Sequence, residues 1–257
     1  MMRQVLLNFD IEELMAENKK LKTEIISPIP LDDLQHILKA IEDNREKIFP
    51  KREKDEYRRN NQRRFHGCLP LEFIGSGSFG LVYGYKEYAI KVNKRVYPSE
   101  SEIKNQMNDK NVLRKLNHVS CLPKLYAIIE DDIIIMERIR GKTVEDYFWE
   151  GGYKNNPLEK LAFESIRDDI YEIVSCGFTP FDVHENNVMI DYQTGKFRII
   201  DTGYFREEHT CEFSDIEDNS GYGQAISYID SWESRYKRKT KLAENKDVKL
   251  DARIHIR

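Results

Sequence analysis

Residues 180–203 run PFDVHENNVMIDYQTGKFRIIDTG, and the reading of this stretch decides the fold. Two short apolar runs, 188–190 and 197–200, flank a Thr194-Gly195 turn, which is the pattern of a β-hairpin. A hairpin holds its two ends side by side. Asp182 and Asn187 ahead of the first run, and Asp201 just past the second, are therefore expected to converge. Such a cluster offers one carboxylate as a base or orienting group, and a second carboxylate with an amide oxygen as hard oxygen ligands. Magnesium carrying a nucleotide phosphate fits that ligand set. The alternative is a polar turn between ordinary strands, since Asp and Asn are common turn formers.

The sequence upstream bears on the choice. Residues 71–74 (LEFI) predict a strand entering Gly75-Ser76-Gly77-Ser78-Phe79-Gly80, and 81–83 (LVY) a second strand leaving it. A lone G-x-G-x-x-G is a weak signal, because the same spacing opens dinucleotide-binding folds. In those folds a helix follows the glycines. Here a β-branched and aromatic run follows, then a turn expected at Gly84, then 87–92 containing Tyr88-Ala89-Ile90-Lys91. Next, residues 98–102 (PSESE) open a helix with a capping-box pattern, whose apolar face carries Val112, Leu113 and Leu116. A second hairpin is expected from 125–129 and 132–138 about Glu130-Asp131, with DIIIMER apolar enough to be a central strand. A long helix is expected from Asn156-Pro157, with Leu158, Leu161, Ile166, Ile170, Ile173 and Val174 on one face and Gly177 as its stop.

In order and spacing, G-x-G-x-x-G at 75–80, A-I-K at 89–91, D-x-x-x-x-N at 182–187 and D-x-G at 201–203 resemble the signature set of the protein kinases. The resemblance covers about residues 69–240 and implies an α+β, two-lobed protein kinase-like fold with ATP and magnesium as cofactors. It implies catalytic roles for Asp182, Lys91 and Asn187, and metal ligation by Asn187 and Asp201. Nucleotide contacts are implied for Gly75, Ser76, Gly77, Gly80 and Lys91, and for the hinge backbone of Glu137 and Ile139, with Met136 behind the adenine. The acidic partner of Lys91 is expected at Asp109, with Glu102 two turns earlier as the alternative.

The departures from the family pattern are informative. The middle residue of D-F-G is Thr202, and Phe181 stands where an Arg before the catalytic Asp would grip a phosphorylated loop. His184 lies two residues after Asp182, where protein kinases mostly place a Lys; D-x-H-x-x-N is similar to aminoglycoside and choline phosphotransferases, which keeps a small-molecule substrate open. Only 54 residues follow Gly203 (257 − 203), with no A-P-E among them, so the C-lobe is expected to be reduced, as in RIO-type, bacterial kinase-like or effector kinases. In that tail Ala225, Ile229, Trp232 and Tyr236 share one helix face, while Arg235-Tyr236-Lys237-Arg238-Lys239 is expected to be a solvated helix end.

The whole chain sets the frame. Its 257 residues suffice for two lobes, and a net charge of −4 gives no bulk attraction to nucleic acid. Cys68, Cys121, Cys176 and Cys211 lack metal or disulfide spacing, no segment approaches the ~20 apolar residues of a membrane span, and no export signal is read at the start. A soluble, cytoplasmic protein is expected. Residues 1–66 are expected to be a helical N-terminal extension, 67–139 the N-lobe and 140–257 the reduced C-lobe. The extension carries two apolar stripes, one with Ile11, Leu14, Met15 and Leu21 and one with Leu31, Leu34, Ile37, Leu38, Ile41 and Ile48. Its run at 51–64 holds seven basic and three acidic residues, expected to be a solvated face. The expected function is phosphorylation of Ser or Thr in a protein substrate; the alternatives are a small-molecule kinase and a nucleotide-binding pseudokinase acting through protein partners.

Overall fold

A computed structural model describes residues 21–45, 70–76, 80–93, 109–130, 133–207 and 220–254, with side chains in the last span to 242. The chain is α+β and divides into two compact units, Met1–Ile103 with Lys124–Arg138, and Lys104–Pro123 with Ile139–Arg257.

The first unit is built on strands β1 (Thr23–Ile25), β2 (Glu72–Ser76), β3 (Gly80–Tyr85), β4 (Tyr88–Asn93), β5 (Leu125–Ile129) and β6 (Ile133–Glu137), with one helix, α1 (Leu31–Asp43), among its described residues. The strands form one antiparallel sheet in the order β1-β5-β6-β4-β3-β2. Strands β4 and β6 take the centre because their apolar runs are near-continuous, which suits a strand covered on both faces. The second apolar stripe of the extension forms α1, and Leu34, Ile37, Leu38 and Ile41 pack with Leu71, Tyr83, Ile90, Ile129 and Ile135. A fully buried Leu or Ile contributes about 1.5–3 kcal/mol, so these four side chains make α1 part of this unit's core. Strand β1 adds an edge to β5 that the sequence did not announce. Of the first stripe, Leu21 packs against this core, while Ile11, Leu14 and Met15, Ile48 of the second stripe and the basic run at 51–64 lie outside the described residues.

Two hairpin tips in this unit put non-glycine residues in the left-handed region, Lys86 at φ 50° and Glu130 at φ 48°. The extension supplies an ion pair to each: Asp33 to Lys86 at 2.5 Å and Arg45 to Glu130 at 3.0 Å. The turn expected at Gly84 is made at Lys86 instead, because Gly84 has a packing role inside β3. A Cβ there would lie 2.5 Å from Nη1 of Arg138, whose guanidinium pairs with Glu72 at 2.6 Å. The glycine segment is also more strand-like than expected. Gly75 and Ser76 belong to β2 and pair with Val82 and Leu81, while 77–79 lie outside the described residues.

In the second unit the elements are α2 (Asp109–Lys115), β7 (Gly141–Thr143), α3 (Val144–Trp149), α4 (Ala162–Ser175), β8 (Phe178–Thr179), β9 (Val188–Asp191), β10 (Phe197–Ile199), β11 (Arg206–Glu207) and α5 (Ser220–Ile254). The expected hairpin forms from β9 and β10, with Val188 opposite Ile199 and Ile190 opposite Phe197. Its turn is closed by the Asp191 carboxylate, which accepts from the Gln193 amide at 2.9 Å and the Thr194 hydroxyl at 3.0 Å, and by Gly195 at φ 70°. Helix α4 begins at Ala162, later than expected, because the residues after Pro157 are engaged elsewhere: the Glu159 amide donates to the Gly195 carbonyl at 3.0 Å. It ends before Gly177, whose φ of 84° turns the chain out of the helix.

Helix α5 buries Ala225, Ile229 and Trp232, with the Trp232 ring stacked on Phe197 of the hairpin at 5.9 Å. Arg167 of α4 holds α5 through Asp230 at 2.8 Å and through Glu233. Among the described residues, no helix is long and apolar enough to cross a membrane. Burial pushes the Cys121 thiol well up, which leaves it protonated and unreactive.

Candidate functional site

Asp182 lies between β8 and β9 with φ 66°, in the left-handed region. That conformation costs a non-glycine residue of order 1–3 kcal/mol, and Asp and Asn adopt it more readily than other side chains. A local network holds it there. The amide of His184 donates to the Asp182 carbonyl at 3.0 Å, and the amide of Asn187 donates to the His184 carbonyl at 2.9 Å. The Asn187 side chain closes the loop, its Nδ2 donating to Asp182 Oδ2 at 2.9 Å and to the Asp182 carbonyl at 3.0 Å. With that nitrogen engaged, the amide oxygen of Asn187 is the atom left to serve as a ligand.

The hairpin brings Asp201 to the same place. The amide of Ile200, its neighbour, donates to the Asn187 carbonyl at 2.9 Å, and Asp201 Oδ1 accepts from the Gly203 amide at 3.1 Å. The Tyr204 phenol is pushed up by partial burial and then by the charges of both Asp182 and Asp201. His184 Nδ1 accepts from the Asn186 amide at 3.2 Å, so in the neutral ring the proton sits on Nε2, 3.5 Å from Asp182 Oδ1. Asp201 and the Asn187 oxygen are hard donors of the kind magnesium takes, which needs only one or two protein ligands beside phosphate oxygens and water. Among the described residues no group of three or more His, Cys, Asp or Glu could hold a metal by itself.

Two further contacts in this unit were not legible in the sequence. Arg235 of α5, expected to be solvated, lays its guanidinium over the Phe148 ring at 4.6 Å and donates to Glu185 Oε2 at 3.0 Å. Glu185 is inside the 182–187 loop, and its carbonyl accepts from the Glu145 amide at 3.3 Å. The C-terminal helix thus braces the loop that carries Asp182. Partly exposed pairs and cation–π contacts are each worth about 1 kcal/mol or less, but small misplacement at a reacting centre can cost up to about 100-fold in rate. Arg235→Ala is therefore expected to lower kcat about tenfold with a loss of about 1 kcal/mol in stability, read by steady-state kinetics beside urea denaturation.

The second contact concerns the segment after Gly203. Strand β11 pairs with β8, Arg206 stacks on Phe181 at 4.8 Å, and Lys115 pairs with Glu207. Phe181, in the position where an Arg would bind a phosphorylated loop, instead receives an Arg from the loop itself.

The remaining predicted residues, Asp109 apart, lie in the first unit or at its end. Lys91 is buried at 6% exposure in β4, opposite Val82 and Ile134, and Gly80 leaves it room, since a Cβ there would stand 3.3 Å from Lys91 Cε. Glu137 ends β6 with its amide donating to the Lys124 carbonyl at 2.8 Å. Ile139 is the first residue of the second unit after that strand. Asp109 belongs to the second unit, where it accepts hydrogen bonds from Thr202. Gly77 and Glu102 lie outside the described residues.

The family model of the protein kinase domain matches residues 70–223, more than half of the chain, and the span takes in Lys91, Asp182, Asn187 and Asp201. No curated protein matches the chain.

Proposed function

This chain belongs to the protein kinase family, and on that premise we propose that it transfers the γ-phosphoryl group of ATP, with magnesium, to a Ser or Thr hydroxyl of a protein substrate. The observation that carries the reading is the hydrogen-bonded closure of Asp182 by Asn187 at the mouth of the hairpin that ends in Asp201. Asp182 orients the acceptor hydroxyl and takes its proton as the new O–P bond forms and the bond from the γ-phosphorus to the β-phosphate oxygen breaks, releasing ADP. Asn187 and Asp201 hold magnesium, which when bound neutralises phosphate charge. Lys91 binds the α- and β-phosphates, with Gly75, Ser76, Gly77 and Gly80 covering them through backbone N–H groups. The Glu137 carbonyl and the Ile139 amide bind the adenine edge.

His184 favours a second reading, a small-molecule kinase, because its Nε2 lies 3.5 Å from Asp182 Oδ1 and would meet a compact acceptor beside the carboxylate. Incubation of the full chain with γ-labelled ATP, alone, with a cell lysate and with a panel of small alcohols, separates the two. Label on protein supports the first reading, label on an alcohol the second, and label nowhere overturns both.

The contacts of Phe181, Arg206 and Glu207 tie the loop after Gly203 without a phosphate. Protein treated with a phosphatase is therefore expected to keep its initial rate within about twofold, and a loss of activity on dephosphorylation would show that the loop needs a modification after all.

A further inference from the structure

Thr202 replaces the aromatic residue of the D-F-G pattern, and its hydroxyl makes a bond that a phenyl ring could not. It is 1% exposed, and it points two donors at one oxygen: its amide reaches Asp109 Oδ1 at 3.0 Å and its hydroxyl reaches the same atom at 2.8 Å. Asp109 opens α2 and is itself only 4% exposed. A carboxylate at that depth needs hydrogen-bonded compensation, and bonds to a charged acceptor are about twice as strong as neutral ones. The next residue serves the same approach. A Cβ at Gly203 would lie 3.2 Å from Asp201 Oδ1 and 3.8 Å from Asp109 Oδ2, so the two carboxylates flank one glycine.

We infer that Thr202 is a positioning residue, a hydrogen-bonded anchor that fixes the Asp201-Thr202 peptide to α2 and so sets the direction of the Asp201 carboxylate. The hydroxyl adds a second bond to the one the amide makes, and the β-branched side chain restricts the rotamer from which it donates. A phenyl side chain at this position would leave only the backbone amide to reach Asp109; here the hydroxyl adds a side-chain bond between the helix and the metal-binding loop.

The inference rests on the reading of Asp201 as a magnesium ligand, and its test separates the two. Nucleotide affinity is measured by calorimetry with and without magnesium for the wild type, Thr202→Val and Thr202→Ser. The Val variant keeps the shape and removes the hydroxyl, and is expected to weaken magnesium-dependent nucleotide binding about tenfold while magnesium-free binding changes by less than twofold. The Ser variant restores the donor and is expected to stay within about threefold of wild type. A folded Val variant with unaltered magnesium dependence, or a Ser variant as impaired as Val, overturns the anchor. A wild type whose affinity ignores magnesium overturns the phosphotransferase reading, and the role given to the anchor with it. Should the Val variant not fold, hydrogen exchange on the wild type decides: the Thr202 amide is expected to exchange as slowly as the β9–β10 hairpin, and exchange at the rate of an open loop overturns the anchor.

Discussion

Asp182→Asn is expected to slow phosphoryl transfer by ~10²–10⁴-fold, the contribution of a positioned general base, while leaving nucleotide affinity and fold intact. The expectation of an intact fold comes from the local geometry. At φ 66° the backbone is strained for most side chains, yet Asn accepts the left-handed region about as well as Asp. The substituted amide can turn its oxygen to the Asn187 Nδ2 that Asp182 Oδ2 now accepts, and the backbone bonds from His184 and Asn187 do not involve the side chain. Only the proton acceptor is lost. Asp182→Val gives the contrasting result: a β-branched residue in the same conformation is expected to lose about 1–3 kcal/mol of stability as well as activity. Initial rates at saturating ATP, set beside urea denaturation of each variant, separate the two effects.

The second large effect is on metal. Asp201→Ala is expected to abolish the magnesium-dependent part of nucleotide binding, because Asn187 alone supplies a single neutral oxygen where the ion prefers a charged hard donor. The same substitution frees the Gly203 amide that Asp201 Oδ1 accepts, an exchange that costs about 0.5–1.5 kcal/mol, so the protein is expected to remain folded. Titration of nucleotide in magnesium and in chelator reads the result directly. Retention of the magnesium increment in the Ala variant would place the metal elsewhere.

How far the sequence carried these conclusions differs from residue to residue. The 180–203 hairpin was legible because everything that makes it is local: two apolar runs, a Thr-Gly turn and an Asp that caps it. Convergence of Asp182, Asn187 and Asp201 follows from that geometry alone. The interior strands β4 and β6 were legible for a related reason, since an apolar run bounded by turns has few other uses. The failures share a cause in long-range packing. Gly84 looked like a turn because the guanidinium of Arg138, 54 positions on (138 − 84), is what its missing Cβ makes room for. Arg235 looked solvated because Phe148 and Glu185, its partners, are distant in sequence. Strand β1 was missed since three residues are too few to show alternation, and it exists by pairing with β5. Helix α3 could have been found: Thr143 and Asp146 carry a capping pattern, and the Asp146 amide does donate to Thr143 Oγ1 at 3.2 Å.

The N-terminal extension shows the same division. Its second apolar stripe was visible as a helix face, but what that face covers was not, and α1 packs on the six-stranded sheet of the first unit. Asp33 and Arg45 then reach the two strained hairpin tips at Lys86 and Glu130.

Whether the end of this hairpin transfers phosphoryl groups is read by a single-turnover measurement with γ-labelled ATP and magnesium on wild type and Asp182→Asn at matched nucleotide saturation. Wild type is expected to move label to an acceptor and the variant to do so ~10²–10⁴-fold more slowly with unchanged nucleotide affinity; equal rates in the two proteins would rule out Asp182 as the base.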